Sequence, residues 1–118
     1  MHENCFWAIT TPDNTAIGFV GYHSFNYEKK QCSIAIHLNK IYWGRGITPI
    51  AVTSTDSYMF QNTEIEAIVA TVKPENTQSQ RCLTKAGYTM ERIIDDYVSS
   101  ATNDASRVRH FYRKQNNL

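Results

Sequence analysis

An excess of charge of either sign is absent from this chain: twelve lysines and arginines stand against eleven aspartates and glutamates, a net charge of +1. Nucleic-acid and membrane-surface binders carry a basic excess, so neither partner is expected. Long apolar runs are absent too, so nothing reads as a transmembrane span, and Met1-His2-Glu3-Asn4 has neither the charged nor the apolar region of a signal peptide. A cytoplasmic location is the default expectation. Cysteine is scarce and odd in number, at Cys5, Cys32 and Cys82, with no Cys-x-x-Cys pair. These read as reduced, mostly buried thiols without a metal or disulfide role. No linker, internal repeat or low-complexity segment is visible, and 118 residues suffice for one domain around one core.

What is present is 42% hydrophobic residues, with seven tyrosines, five phenylalanines and two tryptophans, as in a folded protein. Residues Cys5 to Thr11 alternate, with Cys5, Trp7 and Ile9 on one side, which predicts a strand. Pro12-Asp13-Asn14-Thr15 is a turn, and a second strand runs from Ala16 to Phe25. In a third, Cys32, Ile34, Ile36 and Leu38 share one face while Ser33, Ala35 and His37 share the other. These three strands should form an antiparallel meander.

Next comes Tyr42-Trp-Gly-Arg-Gly-Ile-Thr-Pro-Ile-Ala51, where Gly44 and Gly46 permit a turn too tight for side chains. Thr48 reads as N-cap and Pro49 as first residue of a helix to about Asn62, with Ile50, Ala51, Ser54, Tyr58 and Met59 on its inner stripe. A glycine turn opening a helix offers unpaired N–H groups and a positive dipole end, which suit a phosphate. Glu66 to Val72 reads as a central strand, which makes the unit a right-handed crossover between parallel strands. A second helix follows from Asn76 to Ala86, stopped by Gly87, then a strand from Tyr88 to Ile94, a polar loop from Asp95 to Ser106 and a last strand from Arg107 to Lys114. The expected class is α+β, a mostly antiparallel sheet with one parallel pair at its centre.

Asn39-x-x-Tyr42-Trp43-Gly44-Arg45-Gly46, followed one helix and one strand later by Asn76-x-x-Ser79-x-x-Cys82-Leu83-x-Lys85-Ala86-Gly87-Tyr88, resembles the GNAT N-acetyltransferase superfamily. Within it, the pattern is most similar to the branch of ribosomal-protein N-terminal acetyltransferases. The resemblance runs from about Ala16 to Glu91 and implies a single GNAT-like domain over residues 1–118 that uses acetyl-CoA. Its pyrophosphate would rest on the N–H groups of Gly44, Arg45, Gly46 and Ile47 at the turn before Thr48, with Arg45 adding charge. Its pantetheine arm would lie beside Ile34 to Leu38, with a backbone N–H near Ile36 or Leu38 facing the thioester oxygen. Asn76 matches the asparagine that contacts that arm, and Ser79 matches the proposed proton donor to the departing thiolate.

Two departures from the family pattern matter. Many relatives carry an acidic residue where this chain has Ser33 and a glycine-aromatic pair where it has Ala35 and Ile36; His37 is then a candidate substitute base. Relatives also have a further strand and one or two helices in front, so the first strand here, with Phe6 and Trp7, is expected to leave an open edge that a second copy covers. The implied activity is acetyl transfer to a primary amine, on a small molecule or a protein N-terminus, by direct attack on the thioester. The alternatives are an acetyl-CoA-binding module without turnover and an interaction protein that binds no CoA. The acceptor is not named by the sequence.

Overall fold

A computed structural model of the chain describes residues 4–97 and 107–116. Its elements are β1 (Cys5–Thr10), β2 (Ala16–Asn26), β3 (Gln31–Leu38), a short 3-10 turn (Lys40–Tyr42), α1 (Ile47–Asn62), β4 (Ala67–Val72), α2 (Thr77–Lys85), β5 (Thr89–Ile94) and β6 (Arg109–Gln115). The strands form one six-stranded sheet in the order β1-β2-β3-β4-β6-β5. Only β3 and β4 run parallel, joined by α1, so the α+β sheet with one central parallel pair is what the sequence implied. Most of the expected polar loop, 98–106, lies outside the described residues.

Both helices pack on one face of the sheet. Val20, Tyr22, Cys32, Ile34, Ile68, Ala70 and Tyr112 from the strands meet Val52 and Met59 of α1 and Cys82, Leu83 and Ala86 of α2. On β1 the alternation holds, with Cys5, Trp7 and Ile9 half-buried toward the helices and Phe6 62% exposed on the other side. At the β5–β6 end that other side is roofed by charge. The Arg92 guanidinium lies 4.2 Å from the Phe111 ring centre, and Arg113 donates to Glu91 at 2.8 Å.

The inner stripe of α1 differs from the expected one. Val52, Thr55, Asp56 and Met59 are buried, whereas Ile50 is 70% and Tyr58 51% exposed. Two of the four inward positions are polar, so apolar periodicity could not locate the face. Their partners come from distant strands: the Tyr22 hydroxyl reaches Asp56 Oδ1 at 2.5 Å and Thr55 Oγ1 at 2.7 Å, and Lys114 Nζ lies 3.2 Å from Asp56 Oδ2. Burial raises the Asp56 carboxyl above the ordinary carboxylate range, opposed by the Tyr22 hydrogen bond and the Lys114 charge. Tyr58 instead packs its ring edge-on against Trp7, 5.4 Å away. The Thr53-Ser-Thr-Asp-Ser57 run is held helical by this packing. Burying Val52 and Met59 contributes about 1.5–3 kcal/mol each, against a propensity deficit of about 0.5 kcal/mol per residue.

The start of α1 also differs. The helix begins at Ile47 with Gly46 as its cap residue, so Thr48 and Pro49 are its second and third residues and Thr48 makes no capping bond. Gly46 at φ 73° turns the chain directly into the helix. Pro49 is tolerated there because N–H groups of the first turn have no intrahelical partner anyway. α2 ends as expected, with Gly87 at φ 96°, Tyr88 N–H donating to Leu83 O and Gly87 N–H to Thr84 O. Among the described residues no helix is long and apolar enough to cross a membrane.

Candidate active site

The site begins where β3 and β4 stop pairing. Their register covers only Gln31–Ser33 against 67–69, and beyond it a cleft of about 610 Å³ opens between the strands. It is lined by Ser33, Ile34, Ala35 and Ile36 of β3, by Ala70, Thr71 and Val72 of β4, and by Asn76 and Ser79 at the start of α2. The main chain of β3 facing this gap can be assigned from one bond. Asn39 N–H donates to Ile17 O at 2.8 Å, and in an antiparallel pair such bonds recur every second residue. His37, Ala35 and Ser33 therefore bond to β2, while Ile34, Ile36 and Leu38 turn their N–H and C=O groups toward the cleft. Leu38 O is taken by Trp43 Nε1–H at 2.8 Å, and the pairing of Ser33 with Val69 uses the Ile34 N–H, which leaves the Ile34 C=O, both Ile36 groups and the Leu38 N–H as an open edge.

Two smaller cavities continue the cleft toward the glycine turn. The nearer, about 160 Å³, is lined by Ile36, Leu38, Trp43, Thr48, Asn76, Ser79 and Cys82; the farther, about 130 Å³, by Gly44, Gly46, Ile47 and Thr48. They share Leu38, Thr48 and Cys82, so the three form one run along β3. Gly44 and Gly46 sit at φ 79° and 73°, and nothing lies within 4 Å of where a Cβ would be at either. The first N–H groups of α1 thus open onto free space.

The opposite wall of the farther cavity is α2, which presents Gln78, Arg81 and Lys85. The two cations, Arg81 and Lys85, were not foreseen from the sequence. Their spacing of four residues, with Gln78 three before Arg81, places all three on one helix face, which is the signal that was available. Arg45 takes no part in lining this cavity, since its guanidinium lies over the Tyr42 ring at 5.3 Å.

The turn between β4 and α2 is rigidly held. Asn76 Oδ1 accepts from the Ser79 N–H at 3.1 Å as the helix cap. Gln80 Nε2 donates to Pro74 O at 2.9 Å, while Gln80 Oε1 accepts from the Tyr112 hydroxyl at 2.7 Å and lies 2.9 Å from His110 Nδ1. Ser79 and Asn76 thus reach both the cleft and the nearer cavity from a fixed base. Burial pushes the Cys82 thiol up to about 11 and the Cys32 thiol up to about 12, so neither is a nucleophile near neutrality.

Of the sequence-derived candidates, Ile36, Leu38, Gly44, Gly46, Ile47, Thr48, Asn76 and Ser79 all line this run of cavities. His37 borders the middle cavity, but it is exposed and its ring stacks on Phe19 at 5.8 Å, on the sheet face away from the helices. On that same face the large cleft is bordered by His23 and Ser24 of β2, with Tyr97 and Arg109 across from them. These four were not foreseen, because neither β2 nor the chain around Tyr97 and Arg109 carried a motif.

The residues present suit an extended ligand with amides along its arm and phosphates at one end. An open strand edge can pair with amides, and a glycine turn, a helix start and two cations can hold phosphate. The acetyltransferase (GNAT) domain family matches residues 1–89. This chain belongs to the GNAT family. GNAT domains use acetyl-CoA, the ligand that this run of cavities suits. Among GNAT relatives, the uncharacterized N-acetyltransferase p20 of Bacillus licheniformis is 30% identical over 94 residues, which cover 80% of this chain and 53% of p20. The chain spans about half the length of the curated relatives it matches. Solved GNAT structures share the fold. The ribosomal-protein-S5-alanine acetyltransferase from Vibrio fischeri superimposes with a TM-score of 0.85 at 24% identity, covering 95% of this chain and 61% of that one. The microcin C7 self-immunity acetyltransferase MccE, solved in complex with acetyl-CoA and AMP, gives 0.84 at 18% identity, covering 96% of this chain and 61% of MccE.

Proposed function

We propose that the chain binds acetyl-CoA along β3 and transfers its acetyl group to a primary amine. The observation that carries this is the parting of β3 from β4 beside a glycine turn and a pair of helix cations, all in one connected run. When bound, acetyl-CoA supplies the acetyl group as a thioester. Gly44, Gly46 and Ile47 hold phosphate through main-chain N–H groups, with Arg81 and Lys85 neutralising charge from the other wall. Ile34, Ile36 and Leu38 align the arm as a neighbouring strand would, and the Ile36 or Leu38 N–H stabilises developing negative charge on the thioester oxygen. Asn76 fixes the turn that carries Ser79, and the Ser79 hydroxyl donates a proton to the departing sulfur.

The acceptor is an amine on a small molecule or at a protein N-terminus; the fold shared with an S5-alanine acetyltransferase supports including alanine-first peptides in any screen. Self-association through β1 is part of the same reading, since β1 is the edge of the described sheet and Phe6 stands out from it. The test is titration calorimetry with acetyl-CoA, followed by turnover on polyamines, aminoglycosides and alanine-first peptides, with the solution mass measured on the same sample. Binding with turnover on one class is expected. Binding without any turnover would favour the module reading, to which Ser33 in place of the family's acidic residue lends support.

A further inference from the structure

An acceptor amine arrives at neutral pH as an ammonium ion and must lose a proton before its nitrogen can attack. No aspartate or glutamate lines the large cleft among the described residues. Its titratable or charged side chains are Lys73 and Arg109, which are cations, Tyr97, a phenol, and His23. Histidine is the one side-chain type of these four that accepts a proton near neutrality.

The placement of His23 fits that task. It lies on β2 directly across from Ser33, and Ser33 is the last residue of β3 paired with β4, so His23 stands beside the point where the strands part. It is half-buried, on the sheet face away from the helices, opposite to the side from which Asn76 and Ser79 reach the cleft. The β2–β3 register breaks just after His23, and Ser24 is held at φ 54°, in the left-handed region that non-glycine residues avoid. Bulges of this kind re-aim side chains next to active sites. The distorted Ser24 puts its Oγ 2.8 Å from His23 Nδ1. With Nδ1–H donating to that oxygen, the lone pair of Nε2 is the one that accepts a proton.

We propose that His23 is the general base of the transfer. The assignment rests on the acetyltransferase reading above, and it moves the role from His37 to His23. The amine nitrogen forms the new C–N bond as the C–S bond breaks. Of the two protons that the ammonium sheds, one goes to His23 Nε2 and then to solvent, and the other leaves with the thiol by way of Ser79. The helix-side wall then serves the leaving group and the opposite wall serves the acceptor.

The test uses two variants of the full chain with whichever amine of the screen is turned over. His23→Gln should lower kcat about 100-fold, with the acetyl-CoA affinity by calorimetry and the melting temperature both unchanged. His23→Ala should regain activity with added imidazole. A further readout is independent of turnover: propylamine added to the chain should shift the imidazole ¹⁵N signals of His23. Wild-type kcat in His23→Gln, no imidazole rescue, or His23 signals unmoved by the amine would overturn the assignment and leave the transferase reading standing. A wild-type chain that binds acetyl-CoA yet acetylates no amine in the screen would overturn both.

Discussion

At the end of the cleft nearest α1 the proposed binding surface is main chain: the Gly44–Ile47 turn, the first N–H groups of the helix and the open edge of β3, with Arg81 and Lys85 as the side chains that add charge. At the other end, where β3 and β4 meet, the surface is made of side chains, His23, Ser24, Ser33, Tyr97 and Arg109, drawn from β2, β3, β6 and the segment after β5. The first end needs only that the backbone take a particular path, so it tolerates side-chain variety but not the loss of glycine. The second depends on which residues are present. On the proposed reading, cofactor binding depends on the backbone path and the choice of acceptor on the side chains at the other end.

The largest effect is expected from Gly46→Glu. A Cβ at φ 73° and a carboxylate at the phosphate position should weaken acetyl-CoA binding more than 100-fold by calorimetry. Unchanged affinity in a folded variant would break the main-chain half of the comparison. Ser79→Ala comes next, with kcat reduced about 100-fold and acetyl-CoA affinity nearly unchanged, because Asn76 caps the Ser79 N–H and not its hydroxyl. Full activity would return Ser79 to a structural role. Replacing Arg81 and Lys85 together by alanine should weaken acetyl-CoA about tenfold, in line with two exposed charge contacts of less than about 1 kcal/mol each, and the loss should shrink as salt is added. A loss insensitive to salt would mean that these side chains act by packing.

The smallest effect concerns the helix core and serves as a control for both ends. Burial raises Asp56, so the folded chain holds its proton more tightly than the unfolded chain does. The contribution of this carboxyl to stability therefore falls as pH rises from about 3.9 through its raised value. Asp56→Asn should remove that slope in denaturant unfolding between pH 4 and 7 and leave acetyl-CoA affinity alone. An identical slope in the variant would mean that other groups dominate.

The difference between the two ends also explains what could be read from the sequence. The β1–β3 meander, the crossover and the Gly44–Gly46 turn were legible because each is written locally, in alternation, in a central apolar strand and in a glycine pair, whereas the place of β6 between β4 and β5 was not. The start of α2 at Asn76 and its stop at Gly87 were legible for the same reason. The inner face of α1 was not, since Asp56 and Thr55 are buried by virtue of Tyr22 and Lys114, more than thirty and more than fifty positions away. Thr48 and Pro49 were each misplaced by two positions because Gly46 itself serves as the cap. His23 was invisible for want of any motif: it gains meaning only when β2 is laid against β3 and Ser33 proves to be the last paired residue.

The central claim is that the parted strands and the glycine turn form one acetyl-CoA site. Isothermal titration of acetyl-CoA into the wild-type chain tests it most directly. The account predicts one site per chain at micromolar affinity; a folded chain that gives no binding heat with acetyl-CoA or with CoA, and no shift in melting temperature with either, would contradict it.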